Sequence, residues 1–339
     1  MFFKKVACFT DIHFGLKGNS RVHNDDCESF IYWFIEQAKA HGCETCIFLG
    51  DWHHHRSATN VSTMNYTVSN MERLGAAFEK VYVIMGNHDL YYREKREINS
   101  MEYIRNIPNI HIVNEWIVED DVAIIPWVVG DEWKKIEKMK QKYVFGHFEL
   151  PYFKMNAMVD MPDVGTIKTG HFAGCGEVFS GHFHKRQQAK NVTYMGNAFP
   201  HNYADAWDDD RGMMVLEYGN EPKYINWPDM PRYITIKVSE LLADPEKYLK
   251  PKMYVRVTLD IKISYEEANF IRETFIDKYK LRELQLMPEQ VDKADQPTVE
   301  VQKFDSIDQI VIKQLQGVES ETYDKNILTA IYNDLDVNN

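Results

Sequence analysis

"SGHFHKR", residues 180–186, sets His182 and His184 one residue apart, after a glycine and before two cations. A pair with that spacing can be a metal clamp, a pH-sensitive patch or a surface accident, and the rest of the chain decides between them. Four other stretches share its grammar: "TDIHFG" (10–15), "LGDWHHH" (49–55), "MGNHD" (85–89) and "FGHFE" (145–149). In each, a metal-ligand residue type directly follows a short apolar run that reads as a buried strand. Four of the five carry a glycine just before the first such residue, where the chain must turn and backbone must approach closely.

Working outward, the first two hundred residues alternate strand-like runs with helical periodicity. "KKVACFT" (4–10), "TCIFLG" (45–50) and "VYVIMG" (81–86) are expected strands. Helices are expected near 25–40, with Phe30, Phe34 and Ala38 on one stripe, near 62–79, close to Ser100, and over "DEWKKIEKMKQ" (131–141). "NIHIVN", "VAIIPWVV", "KYVFG", "EVFSG", "VTYMG" and "GMMVLEYG" are further strands, and 155–176 reads as a loop over the site. This alternation predicts an α/β layered fold. The proline-rich "WPDMP" (227–231) marks a boundary. A small α+β unit is expected over 229–289, a linker over 290–303 and an amphipathic helical segment over 304–339.

In open α/β sheets, ligands gather at the carboxyl ends of strands. Residues two apart on an extended segment point the same way, so Asp11 with His13, and His182 with His184, can each aim two donors at one cavity. The collected set is Asp11, His13, Asp51, Asn87, His147, His182 and His184. It exceeds what one metal needs and suits two divalent ions about 3.5–4 Å apart, with Asp51 as the bridging carboxylate. Singly, an aspartate after a strand is more often a cap than a ligand, and a lone histidine is usually surface or satisfied core. Those bland readings are kept for His23, His41 and His111.

Composition narrows the classes. Of 339 residues, 44% are hydrophobic and 27% charged, as in an ordinary soluble globular protein. The apolar run in the opening "MFFKKVACFTDIH" is far too short for a secretory signal, and no segment approaches the roughly 20 apolar residues of a membrane span. Five cysteines argue for a reducing compartment. Cys43 and Cys46 lie between a helix end and a strand, the wrong context for a redox pair. The net charge of −12 disfavours a dedicated polyanion binder but leaves nucleic acid open as a substrate, since bound divalent cations reverse the local sign.

The order D-x-H, G-D, G-N-H-D, G-H and G-H-x-H across residues 6–186 resembles the signature of calcineurin-like metallophosphoesterases. "GDWHHHR" and "GNHD" are more similar to DNA-repair nucleases of the SbcD type, including recombination endonuclease subunits of tailed phages, than to protein phosphatases. The resemblance implies a layered metallophosphoesterase β-sandwich flanked by helices over 1–228, a DNA-binding cap over 229–289 and a partner-binding helical tail. It places Asp11, His13, Asp51 and His184 on one metal, and Asp51, Asn87, His147 and His182 on the other. His88 becomes the group that protonates the leaving oxygen, and His54 stands where phosphatases carry an aspartate.

Carboxylate, amide and imidazole donors suit Mn²⁺, Fe²⁺ or Zn²⁺ better than Mg²⁺, and the resemblance favours Mn²⁺. Two such ions would activate a water and clamp the phosphate for in-line attack. The leading expectation is a Mn-dependent DNA exonuclease and endonuclease. It would be a homodimer in complex with an SMC-like ATPase that carries a coiled coil, acting in the cytoplasm in recombination and double-strand-break repair. If the chain is phage-encoded, that cytoplasm is the host cell's. A phosphatase or cyclic-nucleotide phosphodiesterase shares the same ligands, and a non-catalytic scaffold is a third class. Trp52, His53, His55, Tyr91, Tyr92 and Arg93 follow ligand positions as substrate contacts or as core and rim.

Overall fold

The computed structural model describes residues 1–155, 159–165 and 167–288, together with 324, 327 and 328. Met1–Glu289 forms one compact unit and Gln290–Asn339 another. The expected linker and helical tail lie outside the described residues, apart from those last three positions.

Two six-stranded sheets pack face to face. The first runs in the order Lys223–Asn226, Gly212–Glu217, Lys5–Phe9, Thr45–Phe48, Lys80–Ile84, Ile110–Val113, and its last four strands are parallel. The second runs Gln187–Ala189, Val192–Tyr194, Glu177–Gly181, Tyr143–His147, Val122–Ile125, Ile117–Glu119, with its four middle strands parallel. Because both faces of the central strands are covered, they read as continuous apolar runs without alternation. The pleat still sorts them. Val6 and Cys8 pack toward the second sheet with Ile47, Ile124 and Phe145. Ala7 and Phe9 pack on the opposite face with Phe30, Phe34 and Leu74 from the helices.

Helix Arg21–Ala40 begins four residues earlier than its periodicity predicts, because the Ser20 side chain accepts from the His23 N–H and caps it. Its buried stripe includes Cys27, Phe30, Ile31, Phe34 and Ala38. Two expected helices shrink. Near Ser100 there is a single 3-10 turn, Glu102–Ile104, and 131–141 holds only a 3-10 turn and Trp133–Ile136. Lys138 and Met139 then donate to the carbonyls three residues back, so the chain tightens instead of propagating a helix.

Tyr233–Lys237, Tyr254–Leu259 and Glu283–Pro288 form a parallel three-stranded sheet with its own core of Ile236, Leu241, Val255, Val257 and Leu284. The first of these strands was not expected from the sequence. This α+β portion touches the sandwich through Arg282, which donates twice to Asp26, and through Tyr203, whose hydroxyl donates to Glu283 at 2.8 Å. Lys17 adds a cation over the Tyr254 ring, 4.0 Å from its centre. No described helix is long and apolar enough to cross a membrane.

Candidate metal centre

The parallel strands of both sheets end toward one place, and the residues expected there converge. Asp11, His13 and Asp51 each bring a donor atom within 4.8 Å of the others. Asp51, His147 and His182 do the same, so Asp51 is common to both groups. His184 Nε2 lies 3.9 Å from Asp11 Oδ1, and Asn87 Oδ1 lies 3.2 Å from His147 Nε2. All seven predicted residues therefore line one site.

The backbone reaches this arrangement differently from the extended pairs expected. Asp11, His13, Asp51 and His182 have φ of 51°, 52°, 62° and 92°, left-handed conformations that cost a non-glycine residue about 1–3 kcal/mol. The glycines of the strand ends supply room as well as a turn. A Cβ on Gly86 would sit 2.2 Å from Asp51 Oδ1, and one on Gly181 would sit 2.1 Å from the Thr10 hydroxyl and 2.9 Å from Asp11 Oδ2. Asp11, Asp51 and, against Gly50, His147 are each packed on the glycine of another strand end.

Hydrogen bonds aim the side chains. His147 Nδ1–H donates to the Leu49 carbonyl at 2.7 Å, which leaves the Nε2 lone pair facing Asn87 Oδ1 and, at 3.4 Å, Asp51 Oδ2. Those two oxygens and Nε2 need a cation between them, a metal ion or, in its absence, a proton on Nε2. Burial opposes charge on His147, yet the Asp51 carboxylate prevails and pushes its pKa up to about 9. Asp51 itself is held well below the usual carboxylate range: burial opposes this, but His147, His88 and His13 outweigh it. His13 has no hydrogen-bond partner on either ring nitrogen, and its Nε2 stands 3.8 Å from Asp51 Oδ2 and 3.9 Å from Asp11 Oδ1. With metal–donor bonds of about 2.0–2.2 Å, atoms roughly 3–4 Å apart can share one ion. The donor set thus fits two divalent cations.

Residues the sequence reading left without a role hold the site in place. Buried Asp89 accepts from the backbone N–H groups of Asp51, Trp52, His53 and Gly86, tying two strand ends together. Burial and the nearby Asp51 charge push its pKa up to about 7. Glu149 accepts from His182 Nε2 at 3.1 Å and from Arg93, leaving His182 Nδ1 as the nitrogen with a free lone pair. A cavity of about 480 Å³ beside these groups is lined by Arg93, Trp127, Trp133, His147, Glu149 and Ile167. Ile167 belongs to the segment expected to lie over the site.

His88 Nδ1–H donates to the His54 carbonyl at 2.7 Å, and its backbone N–H donates to Asp51 Oδ1 at 2.8 Å. The His54 ring stacks on His88 with centroids 5.4 Å apart; burial and the neighbouring histidines lower its pKa to about 4. His53 is core: its ring nitrogens meet Ser100 and Thr67 hydroxyls at 2.8 and 2.9 Å. Trp52 is also core, stacked on Phe14, whereas His55, Tyr91 and Tyr92 are exposed. His23 is a satisfied buried residue whose Nε2–H donates to the His13 carbonyl at 3.0 Å. The five cysteines are buried free thiols, and burial pushes that of Cys43 up to about 11.

Residues 4–225 match the calcineurin-like phosphoesterase family, and the chain belongs to that family of metal-dependent phosphate-ester hydrolases. Among individual proteins, it is 28% identical over 228 residues to exonuclease subunit 1 of Enterobacteria phage T4. That match covers 64% of this chain and 66% of the relative, just under two thirds of its length. Of solved structures, the Pseudomonas putida nuclease MPE is 20% identical with a TM-score of 0.29, covering 53% of this chain and 62% of the other. A dimetal phosphatase from Danio rerio is 10% identical with a TM-score of 0.42, covering 66% of this chain and 96% of the other.

Proposed function

We propose that this chain is a two-metal DNA nuclease. It cuts phosphodiester bonds with Mn²⁺ as the working ion, as the nuclease subunit of a complex that serves recombination and double-strand-break repair. The observation that carries the reading is the overlap of two donor groups at Asp51, with His88 hydrogen-bonded to that same carboxylate. The relative's name, an exonuclease subunit, supports both the substrate class and the existence of a partner.

Asp11, His13, Asp51 and His184 would hold one ion, and Asp51, Asn87, His147 and His182 the other. When bound, the pair supplies an activated water and neutralises charge developing on the phosphate. His88, fixed through Nδ1 on the His54 carbonyl, presents Nε2 as the proton donor to the departing oxygen, a role worth about 10²–10⁴-fold. His54 orients it by stacking and by that carbonyl. We assign partner binding, to an SMC-like ATPase with a coiled coil, to residues 304–339. The α+β portion over 229–289 serves as the DNA-binding cap of a homodimer. Its place of work is the cytoplasm, that of the host if the chain is phage-encoded.

The test is cleavage of labelled linear duplex DNA in Mn²⁺ by the wild-type chain, Asp51→Asn and His88→Ser, beside p-nitrophenyl phosphate mono- and diesters. Wild type should degrade DNA and both variants should lose at least about 100-fold. Equal digestion by all three sinks the site assignment, and turnover of the monoester alone establishes a phosphatase.

A further inference from the structure

His201, in "NAFPHNY", follows none of the strand-end motifs, yet the fold carries it to the metal centre. Gly196, at a φ of 79°, turns the chain so closely that an added Cβ would lie 3.0 Å from the His184 carbonyl. Asn197 N–H then donates to that same carbonyl at 3.0 Å, so the segment runs back along the loop bearing His182 and His184. Further on, the His201 N–H donates to Asp205 Oδ2 at 2.9 Å, and Arg211, itself buried, braces the Asp205 carboxylate at 3.4 Å. The backbone of His201 is thus pinned on both sides.

Its side chain has no such provision. His201 is 1% exposed and neither ring nitrogen has a hydrogen-bond partner. A buried imidazole left unsatisfied gives up its hydrogen bonds to water without replacement, and a phenylalanine or leucine would fill the same space without that loss. The ring stands 5.4 Å from that of His13 and 5.3 Å from that of His184, centre to centre. One nitrogen from each of the three falls within 4.8 Å of the others. His13 shares the same lack of partners. Hydrogen bonds inside the cluster do not resolve it, whereas one divalent cation satisfies all three imidazoles.

We propose that His201 is an additional metal ligand, completing the shell of the ion held by Asp11, His13 and His184. The inference rests on the two-ion reading above and adds a donor to it. Three imidazoles beside carboxylates favour Fe²⁺ or Zn²⁺ over Mg²⁺ at this position, and Mn²⁺, which also accepts mixed nitrogen and oxygen donors, serves as the probe.

The experiment is Mn²⁺ binding to the full chain by calorimetry and equilibrium dialysis, for wild type, His201→Gln and His201→Phe. Metal-free thermal unfolding establishes that each is folded. Wild type should bind two ions; both variants should keep one at unchanged affinity and hold the other at least about tenfold more weakly. Two ions bound at wild-type affinity by the folded variants overturn the proposal. A wild-type chain that binds no manganese overturns the two-ion reading instead. Should neither variant fold, a manganese-soaked wild-type crystal decides: an anomalous peak within bonding distance of a His201 nitrogen supports the assignment, and a peak bonded to His13 and His184 alone refutes it.

Discussion

Asp51 Oδ2 and His147 Nε2 stand 3.4 Å apart across the seam between the two sheets, one residue from each. Their contact joins the layers at the point where both proposed ions need a ligand. The sandwich and the metal centre therefore depend on each other.

Metal removal should expose that dependence. Chelation of the wild-type chain should lower its unfolding temperature, and manganese at a hundredfold excess over its dissociation constant should restore about 2.7 kcal/mol. Asp51→Asn should show little of this shift. Calorimetric scans with and without chelator check it, and identical scans for the wild type in both conditions count against a bound ion.

Gly86→Ala should be more damaging than a methyl group elsewhere. The added carbon would press 2.2 Å from Asp51 Oδ1, forcing the carboxylate or the strand end to shift. Overpacking of this kind costs about 1–3 kcal/mol. Denaturant melts should show the loss, and manganese affinity should fall with it.

Glu149 should act through His182. Glu149→Ala frees the imidazole to rotate and should weaken manganese binding by about 10–100-fold. Glu149→Gln keeps an acceptor for Nε2–H and should lie in between. Equal affinity in all three chains would show that the contact with Arg93 is what this carboxylate serves.

Acid should undo a second ion pair, away from the metal centre. Arg96 donates to both carboxylate oxygens of Glu132 at 2.6 Å, and it also donates to the Trp127 and Asn114 carbonyls. Burial raises the Glu132 pKa, but the Arg96 hydrogen bonds outweigh it and hold the group below the usual range. A depressed carboxylate stabilises the fold above its unfolded pKa, near 4.5, and that stability disappears as pH falls through the folded value. Glu132→Gln should therefore be clearly less stable than wild type at pH 7, and the gap should close at more acid pH. A constant gap in urea melts across that range would contradict it.

The five strand-end motifs are readable because each is local: an apolar run, in four of them a glycine, then a donor. What the sequence hid is held by distant partners. Asp89 looks like the tail of "GNHD" until four backbone N–H groups from two loops are seen to close on it. His201 depends on a turn at Gly196 and a brace from Asp205. The hairpin Leu90–Tyr92 with Lys95–Asn99 has no apolar alternation to announce it, and Arg96 fastens its second strand to the loops after Val113 and Ile125. Over 131–141 the helical periodicity outruns the helix, because a tightened turn buries Ile136 and Met139 with the spacing a helix would give.

The positive φ angles at Asp11, His13, Asp51 and His182 set a limit on engineering this protein. Glycine at any of them would relax the chain and erase a donor in the same stroke. Attempts to make the chain hardier belong on the outer helices, where Arg21–Ala40 and Val61–Ala77 meet water.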